Sequence, residues 1–247
     1  MTYCVGLTLD RGIVFASDTR TNAGFDNIAT FQKMHVWEAK GERLVVLLTA
    51  GNLAVTQAVV SILKEQIAAS GENGEPNLMN APTMFQAARV VGEALKDIRK
   101  TDGEALGLSA ESFSASFILG GQIKGEDPRL FQIYNEGNFI ETTPDTPYLQ
   151  IGEHKYGKPI LDRVVVAPMR MGEAAKLVLL SFDSTLRSNL SVGMPIDLLI
   201  YRRDSFEIGE QRRIEENDPY FRKLSAAWSE ALRDSFARLD EYGEQEP

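Results

Sequence analysis

The chain has 247 residues, of which 43% are hydrophobic and 25% are charged. This composition is that of an ordinary globular protein and excludes disordered and collagen-like chains. The 35 acidic side chains outnumber the 26 basic ones, and the net charge of −9 argues against a nucleic-acid or membrane partner. Cys4 is the single cysteine, which excludes an internal disulfide and indicates a reducing compartment, the cytoplasm. We expect neither a signal peptide nor a membrane-spanning helix, because no stretch is long and apolar enough.

Four strands are predicted near the beginning of the chain. Tyr3–Leu9 and residues 13–17 are apolar runs joined by a turn that contains Gly12, so they form a hairpin. A second pair is predicted at residues 31–37 and 42–49. A polar segment at residues 19–27 separates the two pairs.

The spacing of apolar residues changes to three and four after Asn52, which predicts two amphipathic helices. The first begins at residue 52 and stops at Gly71, and the second covers residues 83–100. Shorter apolar runs bounded by turn residues then predict four strands, at residues 113–119, 130–134, 139–141 and 148–151.

The last part of the sequence returns to helical spacing. Residues 172–190 are apolar on most sides and predict a buried helix. A final hairpin is predicted from residues 195–201 and 206–208, with Asp197 facing solvent. Asp218 before Pro219 is a favourable helix start, and apolar residues follow it at spacings of three and four, so a C-terminal helix is predicted.

The order strands, helices, strands, helix, strands predicts an α+β fold. Two sheets that face each other each need helices on their outer surface, which describes a four-layer α-β-β-α sandwich. We expect this sandwich to occupy residues 1–210 and a helical extension to occupy residues 211–247, packed on its own subunit or between subunits.

Thr2 combines a hydroxyl with a position near the chain start. Removal of Met1 would leave a nucleophile and a free α-amine on one residue. An α-amino group titrates at about 7.7–8.0, so part of it is neutral at pH 7 and can accept the hydroxyl proton. Many unrelated chains begin with Met-Thr, so Thr2 alone does not indicate a function.

The residues around Thr2 form a wider pattern. Residues 12–20 read Gly-Ile-Val-Phe-Ala-Ser-Asp-Thr-Arg, Lys33 follows, and Thr49-Ala50-Gly51 leads into the first helix. This pattern closely resembles the proteasome β-subunit family of N-terminal nucleophile hydrolases. Residues 151–159, Ile-Gly-Glu-His-Lys-Tyr-Gly-Lys-Pro, resemble in particular the bacterial proteasome-related group called Anbu.

The resemblance implies roles for the matching residues. Thr2 would be the nucleophile, Asp18 would anchor Lys33, and Lys33 would lower the proton affinity of the Thr2 hydroxyl and amine. Gly51 falls where the family uses a backbone N–H as oxyanion donor. The substrate groove and the first specificity pocket would include Asn22, Thr49 and Leu53. Each residue also has an ordinary interpretation: a surface ion pair for Asp18 and Lys33, a helix start for Gly51, and turn or core positions for the others.

Two positions depart from the family's pattern. Most members have a Ser beside the nucleophile where this chain has Glu153. A carboxylate there could be a partner for the Thr2 amine or Lys33, or could hold a proton if burial raises its pKa. Near the end of the long helix, Ser191 matches the family's Ser, but Ser188 stands at the position of its Asp. We expect a different pH profile and weaker activity than that of ordinary proteasomes.

The resemblance therefore implies a threonine-type peptidase or amidase that cleaves peptide or isopeptide bonds through an acyl ester on Thr2. It also implies a homo-oligomer of about twelve subunits, as a ring or an open spiral. No cofactor or metal is expected, because His35 and His154 do not form a ligand set. An unfoldase partner is not indicated. Two alternatives stay open: a self-assembling scaffold with weak or no activity, and a small-molecule amidase of the same superfamily.

Overall fold

The computed structural model describes residues 2–22, 28–69, 76–103 and 114–243. In these ranges two five-stranded antiparallel sheets face each other, a two-stranded ribbon accompanies them, and helices cover both outer surfaces. The strands are β1 (Tyr3–Leu9), β2 (Gly12–Asp18), β3 (Arg20–Asn22), β4 (Ile28–Thr30), β5 (Met34–Ala39), β6 (Arg43–Gly51), β7 (Ala115–Ile123), β8 (Arg129–Ile133), β9 (Phe139–Glu141), β10 (Tyr148–Gly152), β11 (Ile196–Arg202) and β12 (Glu210–Ile214). The helices are α1 (Leu53–Ala69), α2 (Met84–Ile98), α3 (Lys158–Val164), α4 (Met171–Ser188) and α5 (Pro219–Ala237), and a short π-helical segment, Arg99–Gly103, continues α2.

The first sheet joins distant parts of the chain in the order β10-β1-β2-β11-β12. In β1, which lies between β10 and β2, Tyr3 lies opposite Gly152 of β10, and Cys4 lies opposite Ser17 of β2. This register places Thr2, which directly precedes β1, at the edge where β10 and β2 end. The second sheet has the order β5-β6-β7-β8-β9, so β5 is an edge strand.

The apolar core has three layers, which confirms the predicted four-layer α-β-β-α sandwich. The layers on the two faces of each sheet follow from the alternation of side chains along a strand, because successive side chains point to opposite faces of a sheet. In β1, Cys4 packs between the two sheets, whereas Tyr3 and Val5 pack against the helices on the first sheet. A separate apolar layer lies between the second sheet and helices α1 and α2.

Several element boundaries differ from the predictions. The polar segment at residues 19–27 contains β3, which pairs with β4, although residues 23–27 lie outside the described ranges. Strand β5 begins at Met34, three residues later than predicted. Helix α3 was not predicted at all. Strand β7 extends to Ile123, and the predicted starting residue, 113, is not described. Helix α1 ends at Ala69, and the predicted stop at Gly71 also lies outside the described ranges.

The predicted final hairpin was wrong in its second strand. Residues 206–208 do not form a strand, since Phe206 has a positive φ of 49° and belongs to the connection. The strand is β12, whose sequence Glu-Gln-Arg-Arg-Ile is largely polar because it forms the edge of the sheet. Asp197 does not face solvent: it is only 9% exposed, and its carboxylate accepts two hydrogen bonds from Arg213, the residue opposite it in β12.

The C-terminal helix is present as predicted. The Asp218 side chain accepts a hydrogen bond from the Phe221 N–H at 2.9 Å and caps the start of α5. Phe221 is buried in the same apolar layer as α4. Because β12 spans residue 210, the sheet continues into the segment assigned to the extension, and the division of the chain at that residue stays a prediction.

Candidate active site

The backbone of Thr2 is held by the end of β10. The Thr2 carbonyl accepts a hydrogen bond from the Glu153 N–H at 2.6 Å, and Thr2 is only 8% exposed. Gly152 has a φ of +79°, and a Cβ at this position would lie 1.9 Å from the Thr2 carbonyl oxygen. Only a glycine allows this approach. The β10 terminus therefore fixes where the Thr2 side chain begins.

A buried ion pair lies beside Thr2. Lys33 donates to Asp18 Oδ1 at 2.8 Å, and the side chains are 5% and 0% exposed. The same oxygen accepts the N–H of Tyr3, the residue that follows Thr2, at 3.1 Å. The other carboxylate oxygen accepts the Gly193 N–H at 3.3 Å. The interpretation of this pair as a surface ion pair is therefore wrong.

The protonation of Asp18 reflects two opposing effects. Burial raises the pKa of the Asp18 carboxyl, and the Lys33 ammonium together with the two backbone N–H groups partly offsets that increase. Lys33 has a second acceptor in the Arg20 carbonyl, at 2.5 Å. A buried ion pair is stable only when further hydrogen bonds satisfy both partners, and this pair has them.

Glu153 is connected to Asn189. Glu153 is 7% exposed, and its Oε2 accepts a hydrogen bond from Asn189 Nδ2 at 3.0 Å. The exposed Lys155 ammonium lies 3.7 Å from the other carboxylate oxygen. The Asn189 side-chain oxygen accepts the Ser191 N–H at 2.9 Å. The Asn189 side chain thus hydrogen-bonds two of the predicted site residues, Glu153 and Ser191. The Glu153 carboxylate is bonded to Asn189 and not to Lys33, which was one of its expected partners.

Asn189 was missed by sequence reasoning, which compared Ser188 with the family's Asp. Ser188 is exposed at the end of α4, whereas Asn189 is buried and reaches Glu153. An Asn directly after a helix commonly serves as a helix-ending residue, so its type gave no signal of a role in a site. Gly193, whose N–H donates to Asp18 Oδ2, was also missed. A Cβ at Gly193 would lie 2.1 Å from the Arg20 guanidinium.

Gly51 lies at the junction of β6 and α1 and is exposed. Its φ is +107°, and a Cβ would lie 2.3 Å from the Ser114 carbonyl oxygen, so a glycine is required here. The next residue, Asn52, donates its N–H to the same oxygen at 2.8 Å, and its side chain accepts the Ala54 N–H at 2.9 Å to start α1.

Two of the three predicted substrate-binding residues share a cavity. Thr49 and Leu53 line a space of about 330 Å³ between β5, β6 and α1. Thr49 connects this space to the ion pair, because its N–H donates to the Lys33 carbonyl at 3.0 Å. Asn22 ends β3, and its side chain lies outside what the structure describes.

The two histidines lie in different environments. Burial, with the nearby Lys64 ammonium, lowers the pKa of His35 to about 4, so its imidazole is neutral at pH 7. His154 is exposed, with Nδ1 3.2 Å from the Gly152 carbonyl oxygen. In the described parts of the chain, no three His, Cys, Asp or Glu side chains group as metal ligands. No helix in those parts combines the length and apolarity needed to cross a bilayer.

Comparisons with known proteins identify the family of this chain. The family described as Proteasome subunit matches residues 2–200. Anbu from Hyphomicrobium sp. strain MC1 is 60% identical with a TM-score of 0.90, and the match covers 97% of this chain and 99% of that chain. Anbu (ancestral beta-subunit) from Yersinia bercovieri is 48% identical with a TM-score of 0.91, covering 98% and 99%.

A structure described as the helical assembly of the Anbu complex from Pseudomonas aeruginosa is 47% identical, with a TM-score of 0.92 and coverage of 99% and 100%. A comparison with curated proteins finds no match. The family match covers most of the chain, and the three structures match nearly its whole length at high identity. The chain therefore belongs to the proteasome subunit family and, within it, to the Anbu group.

Proposed function

We propose that this chain is a threonine-type N-terminal nucleophile hydrolase that cleaves peptide or isopeptide bonds once the residues before Thr2 are removed. The observation that carries the proposal is the buried Asp18–Lys33 ion pair, which is hydrogen-bonded to the residue next to Thr2. A buried ammonium at this place has a chemical use, because a nearby positive charge favours the neutral, basic form of an amine. We place the reaction in the cytoplasm, since Cys4 is a buried free thiol.

In the proposed first step, the neutral Thr2 amine accepts the proton of the Thr2 hydroxyl as its oxygen attacks the substrate carbonyl. The Gly51 N–H stabilises the oxyanion that develops. The tetrahedral intermediate collapses when the C–N bond breaks, and the Thr2 ammonium returns its proton to the leaving amine. The acyl group is then an ester of Thr2.

In the second step, a water molecule attacks the ester carbonyl and gives a proton to the Thr2 amine. The C–O bond to Thr2 breaks, the hydroxyl regains the proton, and the acid product leaves. The Lys33 ammonium, paired with the Asp18 carboxylate, favours the neutral amine at the start of both steps.

We assign Glu153 a modulating role in this reaction. Its N–H holds the Thr2 carbonyl, and Asn189 holds its carboxylate. A negative charge near an amine favours the protonated form, which opposes the effect of Lys33. Replacement of the family's Ser by Glu153 should therefore move the basic form of the amine to higher pH.

We also propose self-assembly, as a ring or an open helix of subunits. The Pseudomonas aeruginosa relative is described as a helical assembly. On this chain, α5 and the residues after it carry exposed apolar side chains, among them Phe236 at 78% and Leu239 at 71% exposure. Such residues are candidates for contacts between subunits. A scaffold with little turnover is the alternative, because Glu153 and Ser188 depart from the family's pattern.

A peptide epoxyketone tests the proposed function, because its adduct forms with both the hydroxyl and the amine of an N-terminal threonine. We expect a covalent adduct on Thr2 by peptide mass spectrometry, and none after Thr2→Ala. Lys33→Ala should slow adduct formation at least about 100-fold, in the range of general acid–base contributions. Lys223→Ala removes an exposed lysine of α5 and is the matched control. No adduct on processed protein, or an adduct indifferent to Lys33→Ala, would favour the scaffold.

A further inference from the structure

The cavity that Thr49 and Leu53 line, called here the α1 pocket, lies at the open edge of the second sheet. Helix α1 forms one wall, and β5 with β6 forms the other. Its volume of about 330 Å³ is within the usual range for small-molecule sites. The lining residues are Gln32, His35, Thr49, Leu53, Thr56, Gln57, Val60, Ser61 and Lys64.

The α1 pocket has one basic side chain at its rim. Among its described lining residues, the exposed Lys64 is the only lysine or arginine, and none is acidic. His35 adds no second charge at neutral pH, because burial and Lys64 lower its pKa to about 4. Glu65 follows Lys64 in the sequence but is not part of the lining. The lining therefore has a net positive charge.

Hydrogen-bonding groups surround this charge. Gln57, Ser61 and Lys64 follow one another at spacings of four and three on α1, so they lie on one face of the helix. Each carries a side-chain donor. Lys64 lines the same pocket as Ser61, and its charge is close enough to His35 to contribute to the lowered pKa of that imidazole. An anion in the α1 pocket would meet several donors.

The α1 pocket adjoins the proposed reaction centre. Thr49 and Gly51 are two residues apart on β6, so they lie on the same face of the strand. The Thr49 N–H is bonded to the Lys33 carbonyl, and the Thr49 carbonyl accepts the Cys4 thiol at 3.6 Å. Thr49 and Leu53, which lie two residues before and after Gly51, both line the pocket, so the pocket adjoins the proposed oxyanion donor.

We propose that the α1 pocket selects substrates whose acyl residue carries a carboxylate, with Lys64 as its counter-ion. This inference rests on the proposed function, which defines the acyl residue as the one whose carbonyl carbon Thr2 attacks. The inference itself concerns binding and not turnover. Two substrate types supply the same chemistry: an α-linked glutamyl peptide through its side chain, and a γ-linked glutamyl isopeptide through its α-carboxylate. A cationic residue would be repelled by Lys64, and a large apolar residue would bury the polar lining groups without partners.

Binding can be measured without turnover on the full-length Thr2→Ala protein. Isothermal titration compares acetylated tetrapeptide amides that end in Glu, Gln or Lys, and a fourth ligand is γ-glutamyl-alanine. We expect the Glu peptide or the γ-glutamyl ligand to bind at least about tenfold more tightly than the Gln peptide, which corresponds to about 1.4 kcal/mol. Which of the two binds more tightly identifies the substrate type.

Charge variants locate the effect. Lys64→Gln should abolish the preference for a carboxylate, and Lys64→Glu should favour the Lys peptide, a reversal that a purely structural role would not produce. Lys223→Gln removes the same charge from exposed α5 and should leave the preference unchanged. Equal binding of Glu and Gln peptides, survival of the preference in Lys64→Gln, or no binding by any ligand would overturn the inference.

The proposed function and this inference fail separately. A carboxylate preference that depends on Lys64, without an epoxyketone adduct on the unaltered protein, would leave the α1 pocket as a binding site and reject the hydrolase. An adduct on Thr2 without a carboxylate preference would support the hydrolase and reject the α1 pocket as a carboxylate-binding site.

Discussion

Removal of Lys33 alone should destabilise the protein in a pH-dependent way. Lys33→Met leaves the Asp18 carboxylate, which is 0% exposed, without its charged partner. Breaking a buried ion pair at one side costs about 3–5 kcal/mol, because the remaining charge stays buried. For a chain of this size each kcal/mol lowers the melting temperature by about 2–4 °C, so we expect a decrease of about 6–20 °C at pH 8.

The sign of the pH dependence follows from the pKa of Asp18. Burial already raises this pKa, and loss of the ammonium that opposes the increase raises it further. Below the usual pKa of an aspartate the carboxyl is protonated in both folded and unfolded chains, and there is no penalty. The penalty grows as the pH rises through the folded-state pKa. The difference in melting temperature between Lys33→Met and the parent should therefore be smaller at pH 5 than at pH 8.

A double variant separates stability from chemistry. Adding Asp18→Asn to Lys33→Met removes both charges and keeps an acceptor for the Tyr3 N–H. We expect most of the lost stability to return, while labelling of Thr2 by an epoxyketone stays at background. Melting is followed by circular dichroism at one protein concentration, because self-assembly also changes the melting temperature. A Lys33→Met protein as stable as the parent at pH 8 would refute the reasoning.

Two further changes test the geometry around Thr2. Gly152→Ala places a Cβ 1.9 Å from the Thr2 carbonyl oxygen and should slow epoxyketone labelling about 100-fold, because small displacements of a reacting group are costly. Gly41→Ala is its control, since Gly41 has a similar φ of +76° and nothing near its Cβ; equal effects in both variants would count against a role for the contact. Asn189→Ala removes a donor from the buried Glu153 carboxylate and should cost about 1–3 kcal/mol. It should also shift the pH profile of labelling, and an unchanged profile would remove Glu153 from the proposed reaction.

Regular elements could be predicted where the sequence carries a clear local signal. Strand β1 is a short apolar run because it is buried on both faces, and α5 is marked by its Asp218-Pro219 start and by apolar spacings of three and four; both elements occur where predicted. Edge strand β12 could not be found this way, because a polar edge carries little apolar signal. The short helix α3 was missed, since one buried residue, Leu161, cannot establish a period.

The candidate site was predicted where its residues follow a family pattern and missed where contacts are long-range. Asp18 and Lys33 belong to the pattern near the chain start, and the structure pairs them. Gly193 is 175 residues from Asp18 in sequence, and Asn189 is 36 residues from Glu153. Their roles depend on how β11 and α4 pack beside β2 and β10, which no local spacing encodes.

The central claim is that the amine and the hydroxyl of Thr2 act together. Intact-mass analysis of the protein purified from its native host tests this claim most directly. The account predicts a chain that begins at Thr2, because an amide-linked Thr2 nitrogen cannot serve as the base. A population in which residues before Thr2 persist throughout would contradict it.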